Sequence, residues 1–154
     1  MLFLYFQLGE DRYALDCSQV IEVVPLLAIK QIPQAPAAVA GAFNHRGKPV
    51  PVIDLSVLAL GRPARRHMST RIVIVTYPDG DGTQHLLGLI AEKATKTVRR
   101  DATDFTPSGV ISDGAPYLGP VASDPDGLLQ WIEVKKLLPA SVRDVLFKQP
   151  VELQ

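Results

Sequence analysis

The chain has 154 residues, enough for one domain or two small interlocked lobes around a buried core. Sixteen basic and sixteen acidic residues cancel to a formal charge of zero, and 47% of the chain is hydrophobic. This excludes a broad electrostatic grip on nucleic acid. The single cysteine excludes an internal disulfide, and no apolar run reaches the roughly 18 residues of a membrane span. The opening MLFLYFQLGEDRYAL has neither a basic leader nor a small-residue cleavage site, so a cytoplasmic protein is expected.

LFLYFQL, residues 2–8, reads as a strand that turns at Gly9-Glu10-Asp11 and returns through RYALD as a hairpin. Ser18 suits the cap of a short helical turn, with Val20 and Ile21 packed inward. EVVPLLAIKQI, residues 22–32, is extended and aliphatic, and Pro25 places it at an edge or bulge because proline lacks a ladder donor. PQAPAAVAG is a connector. AGAFN and PVPVIDL then flank the turn HRGK. Asp54 caps a short helix, LSVLAL, which Gly61 and Pro63 stop. RIVIVTY is a strand, PDGDGTQ a hairpin turn, and HLLGLIAEKATKTVR a strand followed by a turn. YLGPVAS and LLQWIEV are strands around DPDG. Leu138, Val142, Val145 and Leu146 recur at helical spacing near the end. Short strands at intervals of roughly 8–15 residues, separated by turn residues, favour a barrel or sandwich.

Motifs for bond-making chemistry are missing from the sequence. There is no GxGxxG, GxxxxGK[ST], GxSxG or HExxH. His45, His67 and His85 lack a paired metal spacing. Asp79-Gly80-Asp81-Gly82 has the look of a calcium loop, but Ile90 stands where the closing Glu belongs. Cys17 fits a small buried apolar residue better than a nucleophile. RPARRH, residues 62–67, fits a solvated basic loop, with an acidic partner as the lesser alternative. GAFNHRGKPVPVIDL, residues 41–55, gathers Asn44, His45, Arg46 and Asp54. Asn44 and Gly47 suit a tight turn, with Gly47 at positive φ. His45 has no evident partner, and Arg46 offers a planar fork of donors to a carboxylate or to solvent. Two classes remain open at this point. One is a scaffold that displays the turn. The other is a small β-barrel ligand-binding module or enzyme using Asn44, Arg46 and Asp54. They differ in whether the Asp54 carboxylate is spent on backbone N–H groups or lies beside Arg46.

Three blocks carry a family resemblance: FLYFQLGEDRYALDCSQVIEVV, then IKQIPQAPAAVAGAFNHRGKPVPVIDL with its N-x-R-G and P-V-I-D-L, and the closing LLGLIAEKATKTVR, YLGPVA and LLQWIEVKKLLP. The chain resembles the CheW-like coupling proteins of bacterial chemosensory arrays over almost its whole length. That implies a mainly β fold of two interlocked SH3-like β-barrel subdomains with short helices, one of them C-terminal. It implies a single domain over 1–148 with a tail at 149–154. It also implies a chemotaxis-type adaptor with no catalytic residues, no cofactor and no metal. Such an adaptor links a methyl-accepting chemotaxis-type receptor to a CheA-type histidine kinase, in the cytoplasm at membrane receptor arrays. By position, Val20, Glu22, Asn44 and Arg46 fall on the receptor-facing set, with an Arg46–Glu22 ion pair expected. Ile29 and Gly41 fall on the kinase-facing set, within an exposed apolar edge at 23–32. MLFLYFQLG and VVPLL resemble the adaptors of the Wsp-type surface-sensing pathway, a pathway that controls a cyclic-di-GMP synthase. His45, Gln130 and Trp131 depart from the aliphatic residues usual at their positions.

Overall fold

A computed structural model describes residues 1–79 and 82–147. The first strand, β1 (Leu2–Leu8), has side chains buried on both faces, which is why it reads as a nearly unbroken apolar run. Leu4, Phe6 and Leu8 enter one cluster, and Phe3 and Tyr5 enter another on the opposite face. Gly9, at φ +62°, turns the chain into β2 (Asp11–Asp16). The remaining elements are β3 (Val20–Pro25), β4 (Val39–His45), β5 (Lys48–Asp54), α1 (Leu55–Leu60), β6 (Arg71–Pro78), β7 (Gln84–Arg99), β8 (Leu118–Asp124), β9 (Gly127–Ile132) and α2 (Ala140–Leu146).

The strands follow one open path, β3-β6-β7-β1-β2-β9-β8, with β5 lying parallel to β7 and pairing with β4. The path does not close into one barrel. It curls into two SH3-like subdomains that share β7. Residues 84–91 of β7 pair with β6, while residues from Glu92 to Arg99 pair with β1. The first subdomain packs an aliphatic core of Val50, Val52, Ile72, Ile74 and Ile90 around Phe43. The second packs rings, with Trp131 edge-on to Phe3 (4.9 Å between centroids) and to Phe105 (5.2 Å). The largest cluster, including Leu15, Ile53, Val73, Tyr77, Leu89 and Leu137, joins the two. The subdomains interlock because β1 and β2 precede the first in sequence yet belong to the second.

Three local expectations change. Asp16, and not Ser18, caps the 3-10 turn at Cys17–Gln19, and its carboxylate accepts from Ser18 N at 2.9 Å. Ile21 does not pack inward and is 53% exposed. The register of β3 on β6 slips between Val20 and Glu22, and this bulge swings Ile21 out. The expected strand-then-turn after His85 is one 16-residue strand that bends without breaking. Lys93 takes φ +53° at the bend, and the β1–β7 register shifts between Tyr5 and Gln7.

Other features match the pattern. β3 ends the sheet path at Pro25, as a proline-bearing edge strand should. Beyond it, strand pairing in 26–32 shrinks to one bridge between Lys30 and Ala42. At the C-terminal end Leu138 and Val142 are buried, Leu146 packs on the central cluster, and Val145 faces solvent. Gly80, Asp81 and the tail at 149–154 lie outside the described residues.

Candidate functional site

The β4–β5 hairpin closes through two residues, Arg46 at φ +52° and Gly47 at φ +85°. Two positive φ values in a two-residue loop are the mark of a type I′ turn, whose twist matches the flanking strands. Glycine bears this freely, whereas arginine in the left-handed region costs roughly 1–2 kcal/mol. Asn44 Oδ1 accepts from Gly47 N at 2.8 Å and offsets part of that cost. The positive φ expected at Gly47 is therefore found, together with a second at Arg46.

Arg46 Nη2 donates to Glu22 Oε2 at 3.3 Å, which is the expected ion pair. The Arg46 side chain is 79% exposed, so the pair adds about 0–1 kcal/mol to stability. His45, for which the sequence offered no partner, places Nε2 3.5 Å from the same Glu22 oxygen. Strand alternation carries the signal for this contact. Phe43 is buried, so His45, two residues on, points the same way and requires a polar neighbour there. Glu22 thus receives two side chains of one turn, while Val20 anchors the start of β3 against the central cluster.

The positions expected to face a kinase, Ile29 and Gly41, are arranged differently. Gly41 is buried at φ +142°, and a Cβ there would lie 2.1 Å from Lys30 O. Lys30 and Ala42 exchange backbone hydrogen bonds of 2.8 and 3.0 Å across that contact. Gly41 is accordingly a seat for the crossing chain and not a surface residue. Ile29 is half-buried against the Phe43 cluster. The exposed large apolar side chains of 23–32 are Leu27 and Ile32.

Asp54 decides between the two classes left open by the sequence. It is buried; Oδ1 accepts from Ser56 N (2.9 Å) and Val57 N (3.4 Å), and Oδ2 from Ala64 N (3.0 Å). It stands at the far end of β5 from Arg46, roughly 20 Å along the strand. Asn44, Arg46 and Asp54 therefore form no common site, because the carboxylate is committed to the helix cap and the loop behind it.

Burial first, then the neighbouring Asp16 charge, pushes the Cys17 thiol up, which works against a thiolate. Among the described residues no group of three or more His, Cys, Asp and Glu side chains is placed to hold a metal ion. Gln130 Nε2 donates to Gly119 O at 3.1 Å and Trp131 packs on Phe3 and Phe105, so these two departures serve the second subdomain. No helix among the described residues is long and apolar enough to cross a membrane.

The CheW-like domain model matches residues 2–142. The chain is 25% identical over 137 residues to the chemotaxis protein CheW of Helicobacter pylori, covering 88% of this chain and 80% of that protein. It is 30% identical over 138 residues to CheW of Treponema pallidum, covering 86% and 78%. Protein FrzA of Myxococcus xanthus is 27% identical over 113 residues, 73% of this chain and 68% of that one. The crystal structure of the scaffolding protein TtCheW from Thermoanaerobacter tengcongensis superposes with a TM-score of 0.79 at 28% identity, covering 92% of this chain and 89% of that one.

Proposed function

The chain belongs to the CheW-like domain family, and from that premise we propose that it is a chemosensory adaptor that couples a receptor's cytoplasmic tip to a CheA-type histidine kinase. The observation that carries this reading is the β4–β5 turn. An exposed guanidinium is held in a strained backbone conformation and aimed by Glu22, with His45 beneath it. The two-residue hairpin accounts for the positive φ, and the Glu22 contact aims the guanidinium, as suits a surface that must meet a helix in one orientation. Val20, Glu22, Asn44 and Arg46 form the receptor-facing set. Leu27 and Ile32, over the Ile29–Gly41 seat, supply the apolar part of the kinase-facing set. Binding energy is its only currency, so signals pass by contact and no cofactor is used.

A finer proposal is the surface-sensing subgroup that controls cyclic-di-GMP, supported by MLFLYFQLG and VVPLL. The test is reconstitution of this protein with a receptor-tip coiled coil and a CheA-type kinase. Formation of a ternary complex that raises kinase activity supports the coupling role, and its failure with folded protein contradicts it. An unchanged cyclic-di-GMP level in a deletion strain on a surface would remove the subgroup alone.

A further inference from the structure

Between α1 and β6 the chain runs GRPARRHMST, residues 61–70. Arg62, Arg65 and Arg66 are exposed, and among the described residues none of the three guanidiniums has an ion-pair or hydrogen-bond partner. The backbone that carries them is nevertheless fixed. Ala64 N donates to the buried Asp54 Oδ2 at 3.0 Å. The buried Thr70 ties the loop shut: its hydroxyl donates to Arg65 O and accepts from His67 N at 3.2 Å. Thr70 N donates to His67 O at 3.0 Å, and Ala94 N to Ser69 O at 3.2 Å. Met68 stands fully exposed in this frame.

Three positive charges within five residues repel one another, and a connector from α1 to β6 gains nothing from holding them on a fixed backbone. We propose that this loop docks an acidic protein segment, with the three arginines taking its carboxylates and Met68 covering an apolar side chain between them. Arginine's planar fork matches a carboxylate in a way that lysine cannot. Methionine adapts to irregular apolar partners. Three charges fall short of the roughly 4–8 that draw a segment to an anionic membrane surface. A chain of zero net charge lacks the spread of cations that duplex DNA requires. Charge complementarity therefore favours protein carboxylates. Arg71 pairs with Pro25, so the loop leaves the sheet at the same end as the segment bearing the exposed Leu27 and Ile32, which extends the apolar flank. The inference goes beyond the adaptor reading: its arginines and Met68 belong to neither the receptor- nor the kinase-facing set, and it shares only the Leu27 and Ile32 flank with the latter.

The probe is a fluorescent peptide of alternating glutamate and leucine, titrated into the full chain by anisotropy. Wild type should bind, and more weakly as salt rises. The combined Arg62→Ala, Arg65→Ala, Arg66→Ala variant should lose roughly tenfold or more. The all-lysine version should recover only part of that loss. Lys96→Ala with Arg99→Ala, an exposed pair on the second subdomain, should change binding less than about twofold. The triple alanine variant should unfold at the wild-type temperature. Equal losses in the control pair would overturn the proposal, as would unimpaired peptide binding by the triple variant or a collapsed fold. So would tighter arginine-dependent binding to phosphatidylglycerol vesicles or duplex DNA than to the peptide, or self-association of the chain that the triple variant abolishes.

Discussion

The two ends of the β4–β5 hairpin use the same chemistry for different purposes. At the open end, Asp54 gives both oxygens to three backbone N–H groups inside the protein, and Gly41 lets Lys30 pass against the strand. At the closed end, Glu22 meets Arg46 and His45 at 3.3 and 3.5 Å, and the guanidinium stands in solvent. A buried carboxylate stabilises the fold because its donors would otherwise go unpaired. An exposed one contributes almost nothing to the fold but can hold a neighbour in place. The hairpin is anchored at one end and displays side chains at the other.

Gly41→Ala should break this contrast most severely. The added methyl group meets a backbone oxygen at 2.1 Å, and φ +142° suits only glycine. A loss of about 3 kcal/mol or more is expected, read as a fall of roughly 6–12 °C in thermal unfolding, together with lost exchange protection at Lys30 and Ala42. Asp54→Ala should cost about 2–3 kcal/mol, since it removes a helix cap and orphans the Ala64 N–H. Asp54→Asn should recover part of that, and denaturant unfolding of the two variants checks the order.

A third carboxylate sharpens the contrast. Asp124, at the β8–β9 turn, is held below its ordinary pKa, first by the Arg12 guanidinium with Nη2 2.6 Å from Oδ2, then by the Asp126 backbone N–H and the charges of Arg12 and Arg100, against the opposing pull of burial. A depressed folded value means that its contribution is complete above the unfolded pKa of about 3.9 and is lost as pH falls through the folded value. Unfolding curves should therefore show a stability loss below about pH 4 that Arg12→Ala flattens. Arg46→Gly is expected to have the smallest effect on the fold. Relief of left-handed strain offsets the lost ion pair, so the melting temperature should stay within about 3 °C.

Elements set by local chemistry were legible in the sequence. Asp54 with Gly61 bounds α1, Gly9 turns the first hairpin, and Pro25 marks the edge strand. The Arg46–Glu22 pair was reachable only through family resemblance, because 24 residues separate the partners. Features that depend on strands meeting were hidden. Lys93 bends β7 without a glycine or proline to announce it. The bulge that exposes Ile21 exists only in the pairing with β6. Gly41 fell in the kinase-facing region by family resemblance, and its tight seat under Lys30 was hidden because that crossing over β4 is set by tertiary packing.

The most direct test of the central claim measures Arg46→Ala in two ways on one preparation: thermal unfolding, and binding to a receptor-tip coiled coil. The account predicts a melting temperature within a few degrees of wild type and a binding loss of roughly tenfold or more, with Arg46→Lys recovering only part. Unimpaired binding, or a binding loss that merely follows a collapse in stability, would contradict it.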